Sequence, residues 1–338
     1  MVKLDVFQHY NITFDNYDKV YIPNISLCNK QRKKRGNPVS VVYGAFDTET
    51  SHTIYNKGKG KECKCWVNSW QFALVYNNMI YSYQGRDVRT FALFLGGILN
   101  REYNKHIKMR VWIHNADYDI EYIFQTLKMY YEVDIFVKNP HDYLYMLVKG
   151  NGVDIEFMDS FSLMPKSLGK LCNDYEVYHK KLDNYDYQKT IYSDTPLSDN
   201  EIMYDMYDVY ALCEIIRGYM DTHPLFNTTD TIPYTMTGQV RKYIELEFKK
   251  NEKQNRYIMY DYEPTLEEYK MIKEAYTGGI TRVNTLYANK LIYVPKGEII
   301  HADIKSSYPY AILGDECKYP LSSGVFLNPD NVSRETLI

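Results

Sequence analysis

The sequence predicts an α/β fold with a mixed central sheet flanked by helices, and three observations carry that prediction. Apolar, β-branched runs alternate along the chain with segments of helical periodicity. Two pairs of such runs are joined by Asn77-Asn78 and by Gly150-Asn151-Gly152, residues suited to tight turns, so part of the sheet is antiparallel. Acidic clusters follow apolar runs, and one falls where a strand meets a helix, a usual location for functional residues in α/β sheets.

Residues 1–38 read as an N-terminal extension closed by Gly36-Asn37-Pro38. A strand over 39–46 ends in Asp47-Thr48-Glu49-Thr50, and a Gly/Lys-rich loop is expected over 51–64. Trp66 to Tyr76 and Met79 to Tyr83 form the first hairpin. Asp87 then caps a helix whose apolar positions are Val88, Phe91, Leu95 and Ile98. A short strand, Val111-Trp112-Ile113, leads into His114-Asn115-Ala116-Asp117-Tyr118-Asp119, and a helix is expected from Asp119 to Tyr130. The second hairpin, Tyr143 to Lys149 and Val153 to Phe157, runs into Met158-Asp159-Ser160-Phe161 and a helix near Ser167 to Tyr175. Ser198 and Glu201 form a capping box that opens a helix burying Ile202, Met206, Val209, Cys213 and Ile216. A change of texture near 222–233, rich in Thr and Pro, marks a domain boundary. Helices near 236–250 and 264–275 follow, then Tyr276-Thr277-Gly278-Gly279 and strand-like runs around 280–294.

At 338 residues and 45% hydrophobic content, the chain is long enough for two soluble domains. No apolar run approaches a membrane span and the polar start is unlike a signal peptide, so the expectation is a cytoplasmic protein without a membrane partner. The net charge of -3 does not mark a nucleic-acid binder by itself, although basic runs occur at 30–35, 57–61 and 180–181. The six cysteines are expected to be reduced thiols; Cys63-Lys64-Cys65 offers half a zinc site with no second pair at ligand spacing. Tyrosine, at 36 residues, is abundant, which suits grooves holding unpaired bases but also follows from an AT-rich genome.

In a strand, residues two apart share a face, so Asp47 and Glu49 present two carboxylates side by side. Like charges placed so repel unless a cation lies between them, and a divalent metal is the usual occupant. Alone, such a pair more often marks a polar strand end entering a turn. Asp119 stands near a helix start, where it equally suits a cap, and Tyr204 and Asp208 lie one helical turn apart. Together these residues supply the carboxylates, and a group to orient water, that phosphodiester hydrolysis by two metals about 3.5–4 Å apart requires.

In this set the sequence resembles the 3′→5′ exonuclease domain of family B DNA polymerases. Phe46-Asp47-Thr48-Glu49-Thr50 is similar to the first motif, Asn115 with Tyr118-Asp119 to the second, and Tyr204 with Asp208 to the third. Tyr276-Thr277-Gly278-Gly279 looks like the loop between exonuclease and polymerase domains, and Asp303-Ile304-Lys305-Ser306-Ser307-Tyr308-Pro309 like the first polymerase motif. The compact size and motif order look most like the protein-primed branch of small phages and linear plasmids. The resemblance implies a ribonuclease H-like exonuclease domain at 39–225, linker helices and the Tyr-Gly-Gly loop at 226–298, and the beginning of a polymerase palm at 299–338.

The resemblance also implies roles. Asp47, Glu49, Asp119 and Asp208 would hold two Mg²⁺ or Mn²⁺ ions, Tyr204 would orient the attacking water, and Lys181 would neutralise charge on the scissile phosphate. Thr50, Asn115, Tyr118 and Ser160 would grip the unpaired 3′ end, with Ser167 the alternative to Ser160. Tyr276, Gly278 and Gly279 would approach template DNA; Asp303 would bind polymerase metals, Ser306 a triphosphate oxygen, and Tyr308 would pack under the sugar.

Ser307 and Phe161 stand where the family pattern has Leu. Nothing in 310–338 resembles the family's second acidic polymerase motif, so polymerisation is expected to need a missing or separate C-terminal part. The implied partners are single-stranded 3′ ends and primer-template DNA, with a terminal protein primer and a C-terminal polymerase subunit as further ones. The competing readings are a non-catalytic DNA-binding or assembly subunit of a split polymerase and a stand-alone 3′→5′ exonuclease.

Overall fold

A computed structural model describes residues 1–25, 37–57, 60–103, 106–139, 142–182, 189–250 and 265–275. The basic run at 30–35, the strand-like runs around 280–294, and Tyr276, Gly278, Gly279, Asp303, Ser306 and Tyr308 lie outside the described residues, as do Gly58 and Lys59 of the second basic run. The strands are β1 (Asp5–Ile12), β2 (Val39–Lys57), β3 (Gly60–Tyr76), β4 (Met79–Gly85), β5 (Ile107–Ile113), β6 (Val133–Asn139), β7 (Asp142–Val148) and β8 (Val153–Asp159). The helices are α1 (Val88–Leu99), α2 (Ala116–Tyr130), α3 (Ser160–Leu163), α4 (Leu168–Asp174), α5 (Asp199–Thr222), α6 (Met236–Lys250) and α7 (Leu266–Ala275).

The strands form one 8-stranded sheet in the order β1-β4-β3-β2-β5-β8-β7-β6. The two turn signals hold: β3 pairs antiparallel with β4 around Asn77 and Asn78, both at positive φ, and β7 pairs antiparallel with β8. Strands β2, β5 and β8 run parallel, which gives the mixed sheet. Residues 1–38 contribute a strand of their own, since β1 pairs parallel with β4 at the sheet edge.

The expected loop over 51–64 is corrected. Strand β2 continues to Lys57 and β3 begins at Gly60, with Ser51 opposite Trp66, Thr53 opposite Lys64 and Ile54 opposite Cys63. The Gly/Lys composition belongs to the tip; the flanking Thr53, Ile54 and Tyr55 are good strand formers. The carboxylate pair therefore lies within a long strand, beside a register shift at Glu49/Thr50. Gly44 is required nearby, because a Cβ there would stand 2.4 Å from the Ala73 carbonyl oxygen of β3.

Alternation along β2 distributes its side chains between two cores. Val42 and Phe46 join Phe91 and Phe94 of α1 and Ile120, Ile123 and Leu127 of α2. Tyr43 and Ala45 join Leu168 and Leu171 of α4 and Met206, Val209, Cys213 and Ile216 of α5. Each fully buried large apolar side chain of this kind contributes about 1.5–3 kcal/mol. The same parity carries Asp47 and Glu49 toward α5, and Thr48 toward α2. Helix α5 opens with the expected capping box, Ser198 and Glu201 bonding reciprocally, and α1 with Asp87 accepting from the Arg89 amide.

The first of two compact units spans Met1–Tyr243. The stretch after α5 belongs to it: Phe226 and Ile232 are buried, and the Arg110 guanidinium donates to the Thr229 and Ile232 carbonyls. In the second unit, Ile244–Ile338, the described residues form the end of α6 and α7. None of the described helices is long and apolar enough to cross a membrane.

Candidate active site

Strand β2 and helix α5 bring three carboxylates together. One ligating oxygen each of Asp47, Glu49 and Asp208 lies within 4.8 Å of the others, the only such acidic, His or Cys group among the described residues. Asp119 of α2 stands outside that group of three but is tied to β2, its Oδ1 accepting from the Thr48 amide at 2.9 Å and the Thr48 hydroxyl at 2.6 Å. The residue between the two β2 carboxylates thus ties the fourth to them.

Burial pushes Asp47 and Glu49 well above the ordinary carboxylate range, and their acidic neighbours push the same way while Lys181 opposes. Burial also raises Asp119, to about 7, against the bonds from Thr48. Asp208 is raised by burial and pulled back by Lys181, whose ammonium bonds its Oδ2. Asp208 Oδ1 is buried with no hydrogen-bond partner. An all-oxygen set with a buried, unpartnered oxygen is the chemistry that hard divalent cations take. The Lys181 ammonium also lies 5.3 Å from the ring centroid of the buried Tyr204.

Helix α2 begins three residues earlier than expected. Asn115 occupies its N-cap position at φ 65 with no side-chain capping bond, and Asp119 lies inside the first turn, so the alternative reading of Asp119 as a cap does not hold. The capping is supplied by Asp159 at the end of β8. Its Oδ1 accepts from the Asn115, Ala116 and Phe161 amides, and its Oδ2 from Ser162, so one carboxylate serves the starts of α2 and α3.

Of the residues expected at the strand-binding surface, Tyr118 is 47% exposed and its hydroxyl lies 2.5 Å from that of Thr50. Asn115 is exposed. Ser160 is fully buried, donating to the Ile113 carbonyl and bonded to His114 Nδ1 at 3.0 Å; burial lowers that imidazole against the pull of Asp159. Ser167 takes the N-cap position of α4.

Three residues without an expected role shape this site: Thr48, Asp159 and Asp205. Asp205 of α5 is buried, accepts from Ser69 and Gln84 at 2.8 Å each, and is pushed by burial to about 7 against those bonds. Ser69 stands opposite Glu49 in the β2/β3 ladder, and its hydroxyl also accepts from Gln71. The available signal was an acid at a strand end, for Asp159, and an acid beside the buried stripe of α5, for Asp205.

No family model matches the sequence, and no curated protein matches it. Among solved structures, phi29 DNA polymerase in a ternary complex with primer-template DNA and incoming nucleotides is similar at a TM-score of 0.53 and 14% identity, over 74% of this chain and 41% of that one. Its orthorhombic crystal form gives 0.54, 14%, 74% and 41%, and its complex with single-stranded DNA 0.51, 14%, 73% and 42%. The likeness is one of fold. The chain spans about two-fifths of the length of the polymerase it matches.

Proposed function

We propose that this chain carries a metal-dependent 3′→5′ exonuclease site for single-stranded DNA ends, as the exonuclease portion of a protein-primed family B DNA polymerase. The observation that carries the proposal is the convergence of Asp47, Glu49 and Asp208 with an unpartnered buried oxygen on Asp208. These residues, with Asp119, would hold Mg²⁺ or Mn²⁺, which when bound supplies positive charge to a phosphodiester and lowers the pKa of bound water.

The chain's own groups do the rest. Thr48 fixes the Asp119 carboxylate relative to β2. Tyr204 orients the water, and Lys181, whose ammonium bonds Asp208, supplies positive charge toward the scissile phosphate. Thr50 and Tyr118 hold the terminal nucleotide, with Asn115 beside them. Ser160 acts through His114, because its own hydroxyl is buried. Tyr276, Gly278, Gly279, Asp303, Ser306 and Tyr308 keep their implied template and nucleotide roles within this proposal, with a terminal protein and further polymerase polypeptide as partners.

The test is incubation of the purified chain with 5′-labelled single-stranded DNA and Mg²⁺ or Mn²⁺, beside Asp47→Ala. Stepwise shortening from the 3′ end, lost in the variant, is expected. A folded, metal-supplied chain that leaves the strand intact would overturn the proposal in favour of the assembly-subunit reading.

A further inference from the structure

An open cavity of about 650 Å³ lies where the β2/β3 hairpin, the start of α1, α2 and residues 192–193 meet. Its wall includes three aromatic side chains, Trp66, Tyr122 and Tyr192, and three cations, Lys64, Arg86 and Arg89, the last of them ion-paired with the wall's single carboxylate, Asp87, at 2.6 Å. That excess of positive charge stands out in a chain of net charge -3.

The aromatic wall is built to be rigid. Trp66 and Tyr192 stack at 5.1 Å with their planes 7° apart, and the indole Nε1 donates to the Ile191 carbonyl at 2.9 Å. Arg86 fixes the same turn, donating to the Asn68 carbonyl of β3 and to the Tyr192 and Thr195 carbonyls. Tyr192 is nevertheless 54% exposed and Lys64 is exposed, so a planar group and a negative group can both be received.

The cavity is also joined to the site. Tyr122, in its wall, makes an edge contact with Tyr118 at 5.1 Å, and Tyr118 meets Thr50, which follows Glu49 in β2. Aromatic side chains therefore run from the proposed place of the terminal nucleotide to the cavity. Stacking surfaces with interspersed cations are how proteins hold single strands without reading their sequence.

We infer that this cavity is a second nucleotide subsite, receiving an unpaired base against Trp66 and Tyr192 and a backbone phosphate at Lys64. The inference rests on the exonuclease reading and adds to it a minimum strand length for tight binding.

Tryptophan fluorescence tests it, because Trp66 is half-buried while the other two tryptophans, Trp70 and Trp112, are fully buried. Oligothymidylates of about one to six nucleotides are titrated into the full chain with Ca²⁺, in an Asp47→Ala background so that strands survive, with anisotropy of labelled strands read in parallel. Longer strands are expected to quench the emission and thymidine monophosphate is not; Trp66→Phe removes the signal while keeping the stack. Tyr192→Ala is expected to weaken the longer strands about 5- to 100-fold. Lys64→Ala is expected to reduce the salt slope by about 0.7, one phosphate's worth. Unchanged thermal melting of these two exposed-site variants certifies the fold. Strand binding by anisotropy with unmoved emission, indifferent to Tyr192→Ala and Lys64→Ala, would overturn the subsite and leave the exonuclease reading standing. No binding of any strand would overturn both.

Discussion

Two buried carboxylate sites in this molecule are treated in opposite ways. Glu156 on β8 faces its ladder partner Arg110 on β5 and accepts from Arg110 at 2.9 Å, from Lys108 at 2.7 Å and from the Tyr234 hydroxyl at 2.7 Å. Burial pushes Glu156 up, but Arg110, Lys108 and Tyr234 outweigh it and hold the group below its ordinary 4.5. Asp47, Glu49 and Asp208 share one ammonium, Lys181, and all are raised. This fold can satisfy a buried carboxylate completely where nothing else is to bind. Asp47, Glu49 and Asp208, close together and with one oxygen unpartnered, form a group that could hold a cation.

The largest expected effect sharpens that contrast. Asp208→Ala should reduce 3′ shortening by about a thousandfold or more, the several kcal/mol a bound cation contributes at developing phosphate charge, measured as single-turnover rates. The same substitution should leave the metal-free chain as stable as before, or more so, because it removes like-charge repulsion. Glu156→Gln should do the reverse: a loss of about 3–5 kcal/mol in urea unfolding, from stranding Arg110, with the rate per folded molecule unchanged. Equal stability losses in the two variants would break the comparison.

A smaller effect is expected at Thr48. Thr48→Val removes the hydroxyl bond to Asp119 but keeps the amide bond, and should weaken Mn²⁺ binding about 10- to 100-fold by titration. The smallest effect is in pH dependence. Carboxylates raised in the fold contribute stability that is present below their ordinary values, 3.8 for the aspartates and 4.5 for Glu49, and lost as pH rises through the folded values, about 7 for Asp119. Glu156, held below 4.5, contributes stability present above that value and lost as pH falls through its folded one. With chelator present, melting temperature should therefore fall between about pH 5 and pH 8 in wild type and fall less in Asp208→Ala, while Glu156→Gln should flatten only the acid side. Added Mn²⁺ should raise the melting temperature more at the higher pH.

The turns at Asn77-Asn78 and at 150–152, the Asp87 cap and the Ser198–Glu201 box were legible because their signals are local. So were the placements of Asp47 with Glu49 on one strand and of Tyr204 with Asp208 one turn apart on one helix, since strand and helix periods put each pair on one face. Strand β6 escaped that reading because its Val133-Asp134-Ile135-Phe136 pattern is short, and the 51–57 stretch because glycine and lysine at the hairpin tip masked it.

Residue types and spacing alone determined that acidic groups would stand together on an α/β scaffold. Tertiary structure decided the neighbours. Thr48 meets Asp119 across 71 positions, Asp159 meets the start of α2 across 43 and 44, and Ser69 meets Asp205 across 136. No local period encodes such separations; they exist only because parallel β2, β5 and β8 end on one side and α5 packs over their face. Which carboxylate is satisfied and which keeps an unpartnered oxygen is fixed by that packing, because satisfaction depends on what arrives from elsewhere in the chain.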